Sequence, residues 1–129
     1  MTEKSMKNEY SNHKTAAADS GRIETIMNAL VDKNQKLLAS CFAEDCTFID
    51  YCPSQNGDTN SFVYGSDCME MYFNLRFKTG EFEAAEPVIE GTGQATFFGM
   101  YNGPYVYARL RIEEYDNDGR VKKAVVSPA

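Results

Sequence analysis

One histidine, His13, serves the whole 129-residue chain, and it sits in the polar stretch MTEKSMKNEYSNHK. A Cys–His or Ser–His nucleophilic pair therefore has little to be built from. Cys41, Cys46, Cys52 and Cys68 form no CxxC pair and no zinc-type spacing. In a reducing cytosol they read as small buried hydrophobes. No His/Cys/Asp group has metal-ligand spacing, so neither a metal nor another cofactor is expected. The glycine-rich GTGQATFFG lacks the lysine and following helix of a phosphate loop. Basic charge is also scarce: 13 Lys and Arg stand against 19 Asp and Glu, a net charge of −6. That balance argues against nucleic acid and against an anionic membrane surface as partners. No apolar run reaches transmembrane length, and the N-terminus lacks the apolar core of a signal peptide. A cytoplasmic protein is expected.

The remaining composition, 43% hydrophobic and 25% charged, fits one globular domain. Residues 1–15 read as a loosely attached tail and 16–129 as the domain. Ile23, Ile26, Met27, Leu30 and Val31 follow helical spacing and predict a helix over roughly 16–32. Asn34 can cap a second helix whose face is Leu37, Leu38, Cys41 and Phe42, ended by AEDC. A strand, TFIDYC, follows and stops at Pro53. The turn-rich PSQNGDTNSFVYG reads as a loop. A third helix starts after Ser66 as its cap and shares Met69, Tyr72, Phe73 and Arg76 on one face.

Beyond residue 80 the period changes. FEAAEPVI, QATFFGMY, PYVYARLRIEEY and RVKKAVV are strand candidates separated by the turn signals EGTG, NG and DNDG. The order α-α-β-α-β-β-β-β means an α+β fold, an antiparallel sheet curling around three helices from the first half. On strand 105–113, burial turns Val106, Ala108, Leu110 and Ile112 inward. The opposite facing would need partners for two buried arginines, so the aliphatic set is favoured.

Asp50 interrupts TFIDYC, and an unpaired buried charge is costly. Alternation puts it on one strand face with Phe48 and Cys52. Standing two residues before Cys52-Pro53, it can simply cap the following turn. It can also be a working acid.

The stretch IMNALVDKNQKLLASCFAEDCTFIDYCP resembles the opening of the nuclear transport factor 2-like superfamily: two helices ending in F-A-x-D, then a strand ending in an acid. Gly65 with its following helix and the hairpin DNDGRVKKAVV are similar to that superfamily too, so the resemblance covers roughly 16–126. It implies a cone-shaped α+β barrel like those of ketosteroid isomerase, SnoaL-like polyketide cyclases and scytalone dehydratase. It also implies that Asp50 holds the general-base position, where an apolar setting would raise its pKa. Counted back from Asp50, the position of the isomerase's donor tyrosine falls on Ile26. Counted back from the closing hairpin, its protonated acid falls on Arg111. The isomerase's oxyanion donors are thus missing. Tyr72, Tyr107 and Arg111 are the candidates to replace them, although the hairpin count that turns Tyr107 and Arg111 toward the pocket conflicts with burial of the aliphatic set.

The expected pocket residues are therefore Ile26, Phe48, Tyr72, Tyr107 and Arg111, around Asp50 as the catalytic candidate. The expected ligand is a small apolar or weakly polar organic molecule, and the expected assembly is a homodimer joined through the outer sheet face. Two functions stay open: an isomerase, cyclase or dehydratase using Asp50 in acid–base chemistry, and a non-catalytic binding or interaction module of the same fold.

Overall fold

In a computed structural model the backbone is described from Asn12 and the side chains from Gly21. Residues 1–11 of the expected tail lie outside that range, and helix α1 already begins at Asn12. It runs Asn12–Val31, followed by α2 (Gln35–Ser40), β1 (Phe42–Asp50), a 3-10 turn (Pro53–Asn56), β2 (Ser61–Tyr64) and α3 (Ser66–Thr79). The second half supplies β3 (Phe82–Ile89), β4 (Gln94–Tyr101), β5 (Tyr105–Tyr115) and β6 (Val121–Pro128). The six strands form one curled, unclosed sheet in the order β2-β1-β6-β5-β4-β3.

Apolar spacing places α1 as expected: Ile23, Ile26, Met27 and Leu30 are buried, while Val31 at its end is exposed. Each such side chain stabilises the fold by roughly 1.5–3 kcal/mol relative to exposure. Asn34 caps α2, its Oδ1 accepting from Leu37 N–H at 3.0 Å. Three local expectations are corrected. Phe42 and AEDC belong to β1 rather than α2, because Phe42 already pairs with Val121 and a bulge follows before Thr47. Ser66 does not cap α3. The turn is made by Gly65 at φ 89°, with no side-chain cap. A Cβ there would stand 3.1 Å from Glu44 O, so both the conformation and the close approach call for glycine. Finally, 53–65 is not all loop: its end, Ser61–Tyr64, pairs antiparallel with β1.

The sheet also departs from a purely antiparallel one, because β1 runs parallel to β6. Its concave side holds an aromatic chain. Phe42, Phe48, Phe73, Phe82 and Tyr101 follow one another in edge-on contacts with centroids 5.3–6.2 Å apart, the geometry aromatic quadrupoles favour. The inner face of β5 is Val106, Ala108 and Leu110, all buried. On its outer face Arg109 pairs with Glu90 at 3.0 Å and Arg111 with Glu113 at 3.1 Å. Cys41, Cys46 and Cys52 are buried as expected, but Cys68, in the first turn of α3, is exposed.

Candidate functional site

Asp50 ends β1 on the concave face, 5% exposed. Both expected roles meet in it. Its Oδ1 accepts from Cys52 N–H at 2.9 Å, capping the turn into Pro53. Its Oδ2 accepts from Tyr101 Oη at 2.6 Å. Tyr101 ends β4, which is separated from β1 in the sheet by β6 and β5. Three strand spacings in a flat sheet would hold the two backbones roughly 14 Å apart. The bond therefore spans the hollow of the curl.

Two features let the Tyr101 ring lie where it does. Gly99, one alternation earlier on β4, has no side chain; a Cβ there would approach Tyr101 Cε2 to 2.7 Å and Phe97 Cε2 to 3.1 Å. Asn56 of the 3-10 turn donates from Nδ2 to the Tyr101 carbonyl at 3.2 Å, fastening the strand end from outside.

Ser61 lies beside Asp50, its register partner across the β1–β2 pair. Its Oγ is 2.5 Å from Tyr72 Oη, reaching down from α3. One turn on, the Arg76 guanidinium carbon stands 4.6 Å from the centre of the Tyr72 ring. Asp50 and Ser61 are buried, whereas Tyr72 and Arg76 are half-buried. The cluster thus meets solvent along α3.

Burial dominates the electrostatics. It raises the Asp50 carboxyl to about 6, against the lowering pull of the Tyr101 bond, the Cys52 N–H and the Arg76 charge. Tyr101 is pushed well above the usual phenol range, by burial first and then by the Asp50 charge, and so remains a donor. Cys52 is pushed up to about 12, again by burial and then Asp50, which leaves an inert thiol. Tyr72 is also raised, chiefly by burial. The arrangement offers a carboxyl that gains and loses a proton close to neutrality, held by a phenol that does not. Among the described residues no group of His, Cys, Asp and Glu could hold a metal ion.

The other expected pocket residues divide. Phe48 is buried two residues before Asp50 on the same face, and Ile26 is buried in the core face of α1. Tyr107 and Arg111 are corrected: Tyr107 is 47% exposed, and Arg111 pairs with Glu113 on the convex side. The aliphatic residues between them took the inside, as burial of apolar area demands. Tyr101, Ser61 and Cys52 were missed as site residues. Alternation in QATFFGMY already put Tyr101 on one face with Phe97, but nothing local said which strand it would meet. Ser61 carries no such signal, because it follows directly on the turn formers PSQNGDTN and only pairing with β1 makes its segment a strand.

No family model matches the chain, and no curated protein does. Solved structures do. A SnoaL-like protein of unknown function from Burkholderia thailandensis is 14% identical, covers 88% of this chain and 96% of its own, and superposes with a TM-score of 0.56. An NTF2-like protein of unknown function from Cytophaga hutchinsonii is 15% identical over 96% of this chain and 95% of its own, with a TM-score of 0.55. The chain has the NTF2-like fold. A putative polyketide cyclase from Sinorhizobium meliloti shares it too, at 15% identity, 87% and 98% coverage and a TM-score of 0.57. At such identities the NTF2-like likeness concerns architecture alone.

The raised carboxyl fixes a sign for stability. Asp50 ionises near 3.8 in its ordinary state, whereas the folded protein keeps the proton to about 6. The folded state binds that proton more tightly, so Asp50 costs stability as pH climbs from 3.8 to 6, roughly 3 kcal/mol in all, and the cost levels off above. Asp50→Asn carries no such cost. Urea denaturation of both proteins should show the difference shifting toward the variant by up to that amount between about pH 4 and pH 7. A difference that shifts toward wild type over this range would mean that Asp50 is held as an anion.

Proposed function

We propose that this protein binds a small organic molecule with an apolar or weakly polar body and uses Asp50 to move a proton on it. The activity class is the SnoaL-like one of isomerases, cyclases and dehydratases. One observation carries this reading: a carboxyl raised to about 6 by burial and held by the Tyr101 hydroxyl. A base with a midpoint near neutrality combines the right protonation state with useful proton affinity. Desolvation among the rings of Phe48, Phe73 and Phe82 supports the same role. The likeness to a putative polyketide cyclase is consistent with this chemistry and adds no residue to it.

The non-catalytic module stays as a second reading, because both Asp50 oxygens already hold a donor. Deuterium incorporation separates the two. A panel of small cyclic ketones in D2O should exchange a C–H next to the carbonyl faster with the protein than without it. Asp50→Asn should remove that acceleration by about 100-fold or more, the usual contribution of a positioned base. Exchange at the uncatalysed rate across the panel would favour the module.

The assembly proposed is a homodimer through the convex sheet face, where Phe62, Tyr64, Phe98, Tyr105 and Tyr107 are exposed. Aromatic enrichment of this kind suits a protein interface. Sedimentation at micromolar concentration should give about twice the 14.5 kDa chain mass, and a monomer would contradict the interface. No helix of the described residues is long and apolar enough to cross a membrane. The free thiols fit the reducing cytoplasm as the compartment.

A further inference from the structure

The half-buried Arg76 lies over the Tyr72 ring and near enough to Asp50 for its charge to lower that carboxyl, but it makes no close ion pair among the described residues. Its one ion pair among the described residues is with Glu81, at 4.0 Å, beyond hydrogen-bond length. A guanidinium carries five N–H donors in a rigid fork suited to a carboxylate. Beneath it, Tyr72 and Ser61 have two hydroxyl protons and one hydrogen bond between their oxygens. One of those protons is therefore left without an acceptor among the described residues. The fork lies on the solvent-meeting side of the cluster, and the spare proton joins it there when Ser61 donates to Tyr72, with Asp50 beside Ser61 across the β1–β2 register.

We propose that Arg76, with the Tyr72–Ser61 hydroxyl pair, is a carboxylate-binding subsite, so that the ligand of this protein is a small organic acid. The proposal deepens the proton-transfer reading and rests on it for the meaning of the neighbouring Asp50. An anionic group on Arg76 and Tyr72 would hold the adjoining part of the molecule toward Asp50. The rings next to Tyr72, Phe73 at 5.0 Å and beyond it Phe82, are buried and back the Tyr72 ring from within. The charged and titratable groups around the subsite are Asp50, Cys52, Tyr72, Tyr101, Arg76 and Glu81. Of these, an ionised Asp50 would oppose an incoming anion.

The probe is benzoate, compared with benzamide, its uncharged analogue of the same shape. Both are titrated into the full chain by NMR at about pH 5.5, where Asp50 is mostly protonated. Benzoate should bind about tenfold or more tightly than benzamide, the margin expected of a charge-assisted pair. Arg76→Gln should erase that preference, Arg76→Lys should restore part of it, and Tyr72→Phe should reduce it. Equal affinity for the two probes, no binding of either, or an unchanged preference in Arg76→Gln would overturn the subsite. The ketone exchange experiment does not need Arg76. Its success beside equal probe binding would remove the subsite and keep the chemistry, whereas benzoate selectivity without ketone exchange would do the reverse.

Discussion

The hydrogen bond from Tyr101 to Asp50 ties together parts of the chain that no strand pairing joins. It links the end of β1 to the end of β4 across the hollow of the sheet. It depends on the curl, since a flat sheet would leave the pair out of reach. Other details are arranged around it. Gly99 clears space for the Tyr101 ring, Asn56 fastens the Tyr101 backbone, and the Cys52 N–H occupies the second Asp50 oxygen. The connection between β1 and β2 thus serves both partners, presenting Cys52, just before the 3-10 turn, to one and Asn56, at its end, to the other.

Burying an acid in an aromatic interior has two possible outcomes. Either enough donors converge to keep the anion, or the group keeps its proton. Here two hydrogen bonds and the nearby Arg76 charge do not offset the loss of water around the carboxyl, and the midpoint rises to about 6. That places the chemistry of the site in the carboxyl rather than in the thiol beside it. Cys52 loses its nucleophilic form to the same burial and to the same neighbour. The donors of a steroid isomerase are not rebuilt by the residues at their counted positions. Ile26 is core, and Arg111 faces outward into an ion pair. The hydroxyl that does donate to Asp50 comes from Tyr101 on β4, while those of Tyr72 on α3 and Ser61 on β2 bond each other nearby.

Much of this fold was legible because its signals are local. The spacing of Ile23, Ile26, Met27 and Leu30 needs only a helix, and the aliphatic alternation of β5 needs only burial. Asp50 was conspicuous as an acid in an apolar strand, and its turn cap followed from its distance to Pro53. What stayed hidden was non-local. Four residues of β2 sit among turn formers, and only their ladder with β1 makes them a strand. Burial gave the facing of β5, with its aliphatic set inward, and only the count from the closing hairpin put Tyr107 and Arg111 in the pocket. Tyr101 carried no mark of its partner, because their contact depends on how far a six-stranded sheet curls.

The Asp50 carboxyl itself can be followed directly, by carbon-13 NMR of the side-chain carboxyl resonances, with Asp50→Asn to assign the signal. The account predicts a midpoint near 6, set by burial against the Tyr101 bond. A midpoint at or below the ordinary aspartate value of about 3.9 would contradict it. Asp50 would then be a stabilised anion that caps a turn, and not a group that exchanges protons near neutrality.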